Sequence, residues 1–231
     1  MKNSIIILCK KGILLTLACL TLTNCKKELE STPLTVTDID GNVYGTVKIG
    51  EQIWMTENLK VTRYRNGDYV STYLSNFEWS NVLAGAMCDY DDKPDSSAIY
   101  GKLYNGYTVS DSRNICPEGW HIPTKTELET LVNYLGGPSN ASIKLKEKGT
   151  LHWIYGNSNA TNESNFTALP GGNRVASGSY MDINASGFWW SSSTSTTDKM
   201  YCLQLIDNTD AAFIYEIDNN YGFSIRCIKD K

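Results

Sequence analysis

The sequence predicts an α+β fold built mainly from antiparallel strands and long loops, with one or two short helices. Short segments of alternating apolar and polar residues, separated by turn signals, occupy both ends of the chain. One capped amphipathic helix follows Thr124. A long passage over residues 151–186 is rich in Asn, Ser and Gly and lacks strong periodicity, which is typical of loops.

Residues 1–24 are typical of an export signal, because a basic start precedes an apolar stretch that is too short to span a bilayer. The stretch ends in Leu22-Thr-Asn-Cys25, which resembles a bacterial lipobox. We therefore expect a lipid anchor on Cys25, with residues 25–33 as a tether. The alternatives are acylation of Cys19 and an ordinary secretory peptide in which Cys25 has no role.

The start of the tether, Lys26-Lys-Glu28, is similar to the signal that directs some Bacteroidetes lipoproteins to the outside of the outer membrane. We therefore expect a lipid-anchored, surface-exposed protein of the outer membrane. The remaining residues, 34–231, are enough for one well-cored domain and few for two.

The charge and the aromatic content of the chain limit the classes of molecule that it is expected to bind. Three of the 21 basic residues lie in the leader, so the rest of the chain has 18 basic and 25 acidic side chains and a formal charge of −7. No basic run remains, which argues against nucleic acid as a partner. The 14 Tyr and 6 Trp are typical of a strand- and loop-rich extracellular module.

The strand predictions fall at the two ends of the domain. Residues 36–61 alternate in short runs broken by turn signals, which predicts a β-meander. Residues 38–42 share part of a calcium-loop pattern but lack its closing glutamate, so we predict a hairpin turn there. Three more strands are predicted at 201–206, 212–217 and 222–228.

The clear helix begins after Thr124, where Glu127 completes a capping box. Apolar residues recur at helical spacing up to Leu135, and Gly136-Gly-Pro138 ends the helix. We predict that its apolar stripe packs into the core. A second short helix is predicted over residues 142–148.

The densest acidic cluster is a candidate calcium loop, because crowded carboxylates repel one another and a hard cation relieves that repulsion. The alternative is a solvated loop. Its members are Asp89, Asp91, Asp92 and Asp95. Calcium is the one candidate cofactor, since no phosphate loop, metalloprotease or other cofactor fingerprint is present.

Four cysteines follow the anchor: Cys88, Cys116, Cys202 and Cys227. In an exported protein an even number of cysteines indicates disulfides, and four allow three connectivities. A zinc site is the alternative, but the sequence has no CxxC pair and only two histidines.

Four sequence blocks, in order, carry a family resemblance. They are Asn114-Ile-Cys-Pro-Glu-Gly-Trp-His-Ile-Pro-Thr124, Ala168-Leu-Pro-Gly-Gly172, Gly187-Phe-Trp-Trp-Ser-Ser192 and Tyr221-Gly-Phe-Ser-Ile-Arg-Cys-Ile228. Together they resemble the Fibrobacter succinogenes major paralogous domain family, a set of bacterial extracytoplasmic domains. The resemblance implies a C-type-lectin-like fold for residues 34–231. It also implies a Cys116–Cys227 disulfide, which leaves Cys88 to pair with Cys202.

The resemblance brings no activity with it. Formylglycine-generating enzymes also resemble the C-type-lectin-like fold, and a copper-dependent oxidase of that type is the enzymatic alternative. Those enzymes use a closely spaced cysteine pair, whereas Cys202 and Cys227 are 25 residues apart. No nucleophile with a recognisable base occurs either, so we expect a binding protein and not an enzyme.

The binding residues are expected in the long loop, where lectin-like folds carry their binding region. Aromatic faces stack on sugar rings, and Asn, Asp and Arg side chains hold the hydroxyl groups. The candidate contacts are Asn173, Arg174, Tyr180, Asp182, Trp189 and Trp190. Trp189 and Trp190 belong to one of the family-like blocks, so the alternative is that at least one of them is a core residue. The sequence thus predicts a surface module that binds glycan or a surface protein. The alternative is a structural or adhesive protein of the cell surface without a small ligand.

Overall fold

A computed structural model of the chain describes residues 35–154 and 156–231. The predicted export signal, Cys25 and the tether lie outside the described residues. In chain order the strands are β1 (Thr35–Thr37), β2 (Val43–Ile49), β3 (Gln52–Met55), β4 (Met87–Cys88), β5 (Leu103–Asn105), β6 (Trp120–His121), β7 (Gly171–Arg174), β8 (Tyr180–Ile183), β9 (Ser186–Thr196), β10 (Lys199–Ile206), β11 (Ala212–Asp218), β12 (Gly222–Phe223) and β13 (Ile228–Lys229). The helices are α1 (Asn76–Asn81), α2 (Pro94–Tyr100), α3 (Gly106–Val109), α4 (Lys125–Tyr134) and α5 (Ala141–Leu145), with a 3-10 turn at Tyr90–Asp92.

The strands form three sheets, with the orders β1-β2-β3-β13-β6, β11-β10-β9 and β4-β5-β12-β7-β8. Neighbouring strands are antiparallel in all three sheets. The predicted α+β class, with antiparallel strands and few short helices, is therefore confirmed. None of the described helices has the length and apolar character that crossing a membrane requires.

The predicted N-terminal meander is the β1-β2-β3 half of the first sheet. Its first turn is a hairpin, as predicted, because the Asp38 carboxylate accepts the backbone N–H groups of Asp40 at 2.9 Å and Asn42 at 3.0 Å. The last strand, β13, pairs with β3, so the two ends of the described chain meet in one sheet.

The predicted helix is α4, and its capping box is complete. The Thr124 hydroxyl accepts the Glu127 N–H at 3.2 Å, and the Glu127 carboxylate accepts the Thr124 N–H at 2.8 Å. Its apolar stripe joins a core cluster with Trp54 and Trp189, as predicted. The second helix, α5, covers Ala141–Leu145 and is shorter than the predicted 142–148.

The C-terminal segment departs from the single strand predicted over 222–228, because it passes through all three sheets. Gly222 and Phe223 pair with β5, and Ser224 forms a bridge with Trp189 of β9. Ile228 then pairs with β3 and β6. The last sequence block is therefore the segment that ties the sheets together.

Several elements were not predicted. Residues 62–113 contain α1, α2, α3 and two short strands, and the long loop contains the β7–β8 hairpin. Strand β7 reads Gly-Gly-Asn-Arg and is wholly buried. A strand without apolar side chains carries no hydrophobic alternation, so its pattern does not predict it.

Of the two predicted disulfides, one is present and one is not. Cys116 and Cys227 form the predicted disulfide, with 6.0 Å between their Cα atoms. The Cys88–Cys202 pairing is wrong, because both thiols are free and buried in different core clusters. Cys88 lies on β4 of one sheet and Cys202 on β10 of another.

Candidate functional site

Exposed aromatic side chains concentrate in residues 69–83, which we call the aromatic segment. Tyr69, Tyr73, Phe77 and Leu83 are 76%, 78%, 77% and 78% exposed. Single exposed apolar residues are normal on a protein surface, but several large ones on one short segment indicate a contact surface.

The start of the aromatic segment is held on both sides by backbone hydrogen bonds. The Val70 N–H donates to the Thr62 carbonyl at 2.9 Å, and the Ser71 carbonyl accepts the Met87 N–H at 2.8 Å. Tyr69 therefore projects from a backbone that is fixed to its neighbours.

The middle of the segment is helix α1, which begins with its own capping box between Ser75 and Glu78. Trp79 is fully buried, and its indole N–H donates to the Asn220 carbonyl at 2.8 Å. Residues two apart on a helix point in roughly opposite directions. Burial of Trp79 therefore turns Phe77 outward.

Arg174 supports helix α1 on its buried side. Its side chain is 1% exposed and its guanidinium lies 4.4 Å from the Trp79 ring centroid and 5.0 Å from that of Tyr180. It donates to the Leu74 carbonyl at 2.7 Å and to the Gly178 carbonyl at 2.9 Å. The arginine predicted to contact ligand is instead an internal support of the aromatic segment.

The β7–β8 turn packs against the start of α1. Gly178 has a φ of +91°, and a Cβ atom there would lie 2.5 Å from the Cα of Asn76. Any other residue would clash with the helix and strain the backbone, so this turn needs glycine. The glycine in the sequence Val175-Ala-Ser-Gly178 thereby lets the hairpin support the segment.

Polar groups lie beside Tyr69. The Arg63 guanidinium is 5.9 Å from the Tyr69 ring and pairs with Asp40 at 2.5 Å. Arg113 pairs with Asp111 at 2.7 Å and with Asp68 at 3.1 Å. The Tyr69 ring therefore stands next to the Arg63–Asp40 pair, which is already oriented.

Tyr73 has a backbone φ of +57°, in the left-handed region. A bulky residue in that region costs free energy that the surrounding structure must offset, and such residues concentrate at functional sites. Tyr73 is also 78% exposed, so burial of its side chain does not provide the compensation.

The other predicted contacts of the long loop come together on the β7–β8 hairpin but face inward. The Asn173 amide is buried and donates to the Asp182 carboxylate at 2.9 Å. The half-buried Tyr180 donates its hydroxyl to Asp92 at 2.8 Å. Only Asp182 is exposed, so the prediction of a contact surface made of these residues is wrong.

Trp189 and Trp190 are core residues of β9, 1% and 0% exposed. Their indole N–H groups donate to Asn58 at 2.7 Å and to the Tyr104 carbonyl at 2.6 Å. Neither ring reaches a ligand at the surface, so the prediction that they bind one is wrong.

Three of the four carboxylates of the candidate calcium loop have separate protein partners. Asp89 pairs with Lys102 at 2.6 Å, Asp91 with Lys93 at 2.5 Å, and Asp92 accepts the Tyr180 hydroxyl. Within residues 35–154 and 156–231, no group of three or more His, Cys, Asp or Glu side chains is arranged to hold a metal ion. The residues predicted as a loop site thus do not converge.

A polar cavity of about 430 Å³ opens beside α5, lined in part by Lys146, Asn157 and Asp210. The Lys146 ammonium is buried and donates to the carbonyls of Ile206 and Thr209, both at 3.0 Å. The Lys146 ammonium therefore stabilises the loop that follows β10. Since the one cation that lines the cavity already donates to the backbone, the cavity is a weaker candidate ligand site than the aromatic segment.

Sequence reasoning missed the aromatic segment. Tyr69, Tyr73 and Phe77 recur every four positions, but that spacing is typical of the buried face of a helix and so does not predict an exposed surface. The high tyrosine content was a second signal, and it does not say which rings are exposed.

Comparison with known proteins gives one match. The family model for the Fibrobacter succinogenes major domain matches residues 47–229 of this chain. No curated protein and no solved structure matches the chain.

Proposed function

The chain belongs to the Fibrobacter succinogenes major domain family, and on that premise we propose that it is a cell-surface module that binds glycan through the aromatic segment. The observation that carries the proposal is the exposure of Tyr69, Tyr73 and Phe77 on one fixed backbone segment. Hydrogen bonds of Val70 and Ser71 hold it beside Tyr69, and Arg174 and Trp79 hold it around α1. A preorganised surface binds with a smaller loss of conformational entropy.

Glycan is favoured over a protein ligand by the surroundings of the rings. The apolar C–H faces of a sugar stack on aromatic rings, while its hydroxyl groups need charged or amide partners. Arg63 lies beside the Tyr69 ring, and Arg113 pairs with Asp68, the residue before Tyr69. With Asp40 and Asp111 these groups are two cations and three carboxylates, a net charge of −1, which disfavours an acidic glycan and favours a neutral one.

We further propose a C-type-lectin-like architecture. Three features support it: β1 and β13 lie in one sheet, α4 follows Cys116, and Cys116 is bonded to Cys227 shortly before the last strand. Fold likeness alone does not determine the ligand.

The proposed location is the outer membrane, with a lipid on Cys25. Two or three acyl chains on the lipobox cysteine hold a protein durably, whereas one chain does not. A nine-residue tether over 25–33 reaches about 30 Å when fully extended. That distance keeps the domain close to the membrane surface.

We propose binding without catalysis. A copper oxidase of the formylglycine type needs a cysteine pair, but Cys227 is in a disulfide and Cys88 and Cys202 lie in different core clusters. The described cysteines therefore leave no pair for that chemistry.

The test is a glycan array probed with the compact unit, residues 32–231, in the presence of calcium and then of chelator. We expect binding to a neutral glycan class. The triple substitution Y69A/Y73A/F77A should weaken it by a factor of about 10 or more, since each lost aromatic contact is worth about 0.5–1.5 kcal/mol.

The matched control is Tyr134→Ala, which removes a ring that is 65% exposed on α4. Its binding should equal that of the unmodified protein. A blank array, or full binding by the triple variant, would contradict the proposal. Loss of binding in chelator alone would indicate a calcium requirement.

A further inference from the structure

The three-stranded sheet has an open edge at β11. The sheet order is β11-β10-β9, and β11 pairs over its full length with β10, from Lys199 opposite Asp218 to Leu205 opposite Ala212. Within the described part of the chain no strand pairs with its other side. An open edge of seven residues is a template for another strand.

The backbone groups that face outward are identified by one hydrogen bond. The Ala212 N–H donates to the Pro138 carbonyl at 2.7 Å, away from β10. Because both backbone groups of alternate residues share one side of an antiparallel strand, those of Ile214 and Glu216 also point outward. Neither has a backbone partner among the described residues.

We infer that the partner of this edge is β11 of a second copy of the chain, paired antiparallel to form a continuous six-stranded sheet. An isologous contact of this kind closes as a dimer and leaves no further edge at β11. It goes beyond glycan binding and concerns how the protein is arranged on the surface.

The available hydrogen bonds select the register. With Ile214 opposite Glu216 of the second copy, the two-fold axis passes between the two Tyr215 residues. Both Ile214–Glu216 pairs then exchange their N–H and C=O groups, which makes four hydrogen bonds. Asp218 of the second copy comes opposite Ala212, where Pro138 lies, so the pairing has to end before Asp218; Ala212 then keeps its bond to Pro138.

The two neighbouring registers are worse. Shifting toward the C-terminus places Glu216 opposite Glu216 of the second copy, and like charges directly opposite one another are destabilising. Shifting the other way pairs Glu216 with Ala212, whose N–H is already bonded to Pro138. Two hydrogen bonds between the Ile214 residues and one from each Glu216 N–H to the Ala212 carbonyl remain, but both Glu216 carbonyls lose their donor.

The side chains agree with the selected register. On one face Phe213 lies opposite Ile217 of the second copy, and the two Tyr215 rings lie opposite each other. Phe213 is 42% exposed in the single chain, while Tyr215 and Ile217 are partly buried. Aromatic and β-branched pairs of this kind stabilise antiparallel strands.

The opposite face has room and compensated charge. A groove of about 400 Å³ between α4 and β11 is lined by Glu129, Val132, Pro138 and Ile214 among others. In the selected register the stem of Glu216 from the second copy reaches this groove and meets Glu129. Glu129 pairs with Lys125 at 3.6 Å and Glu216 with Lys199 at 4.0 Å, so each carboxylate has its own cation.

The test uses register-specific cross-linking of the full-length chain in the membranes of cells that express it. In the double variant F213C/I217C, each new cysteine faces the other type in the second copy across a non-hydrogen-bonded pair. The Cα atoms there are about 4.5 Å apart, within disulfide range. We expect most of the double variant to become a covalent dimer on mild oxidation.

The single variants F213C and I217C are matched controls, because each new cysteine then faces a residue that is not cysteine. They should remain monomeric on a non-reducing gel, as should the unmodified chain. Bonding within one chain does not compete, since four residues of strand span about 13 Å. Equal dimer yields in single and double variants would overturn the inference.

Sedimentation of the unmodified chain in mild detergent gives an independent reading if the double variant does not fold. We expect a reversible dimer over a concentration series up to about 1 mM. The substitution E216P, which removes one outward N–H from each copy, should shift the equilibrium toward monomer. A monomer throughout the series would also overturn the inference.

Discussion

At the scale of single residues, burial decides what a side chain does. Arg174 and Arg226 are both fully buried arginines that donate to backbone carbonyls and lie over aromatic rings. Burial lowers the pKa of Arg226 to about 9. In sequence each arginine belongs to a block rich in polar or aromatic residues, and in the structure each supports neighbouring elements.

The first prediction concerns Arg174. Replacing it with Met removes the donors to the Leu74 and Gly178 carbonyls but keeps an apolar stem. We expect the free energy of unfolding in urea to fall by about 3 kcal/mol, because buried acceptors lose their partners. Hydrogen exchange should become faster in residues 69–83. Unchanged exchange there would contradict the role assigned to Arg174.

The second prediction concerns the free thiols. Burial raises the pKa of Cys88 to about 11 and that of Cys202 to about 12. The thiolate is the reactive species, so both should be inert at pH 8 in the folded protein. A thiol reagent should titrate none in native residues 32–231 and two after denaturation. Rapid native reaction of either would show that these cores open.

At the scale of elements, helix α4 shows how one side chain joins local and tertiary contacts. Glu127 caps the helix through Thr124 and also lies 3.1 Å from His121 on β6, which in turn contacts Asp230 at 2.5 Å. These contacts give His121 a structural role, because its ring joins α4 to the end of the last strand. The cap therefore also connects the helix to the sheet that contains both chain ends.

The third prediction is the pH dependence of this cap. Burial alone raises the pKa of Glu127, but the bonds from Thr124 and His121 outweigh it and hold the pKa below its usual value. A lowered carboxyl pKa stabilises the fold above the pKa of the unfolded chain, and this stabilisation is lost as pH falls through the folded pKa.

E127Q should therefore lower the free energy of unfolding by about 1 kcal/mol at pH 7. The difference from the unmodified protein should shrink as pH falls below about 4.5. The matched control is E129Q on the same helix, where Glu129 only pairs with Lys125 at the surface, at 3.6 Å. That change should be small, about 0.5 kcal/mol or less. A pH-independent deficit in E127Q would contradict the assignment.

At the scale of the whole molecule, the C-terminal segment and the disulfide organise three small sheets into one unit. Ser224 bridges to β9, the Ile225 carbonyl accepts the Leu59 N–H at 2.8 Å, and the Cys227 carbonyl accepts the Met55 N–H at 3.1 Å. Cys227 is at the same time bonded to Cys116. The last residues therefore complete the fold.

The fourth prediction follows from the disulfide, which joins residues 111 apart in sequence. In the chain-entropy model a loop of that length is worth about 4–5 kcal/mol. The double variant C116A/C227A should lose about that much in urea unfolding. Reductant should destabilise the unmodified protein by a similar amount and leave the variant unchanged. A loss near zero would show that the unfolded chain is already compact.

The sequence by itself determined features that depend on neighbouring residues or on a recognised family. It predicted the N-terminal hairpin turn through Asp38, the α4 capping box through Thr124 and Glu127, and the antiparallel α+β class. The Cys116–Cys227 disulfide followed from the family resemblance and is confirmed. Short-range hydrogen bonding and alternation are legible in a single chain because the interacting groups are adjacent in it.

Only the tertiary structure decided which polar and aromatic side chains face solvent. Arg174, Trp189 and Trp190 have the chemistry of a binding site but lie in the interior, while Tyr73 and Phe77 lie at the surface. Residue type does not distinguish the two cases, because an arginine or tryptophan is buried wherever distant segments supply its partners. Those partners, such as Leu74 for Arg174 and Asn58 for Trp189, are 100 and 131 residues away in sequence.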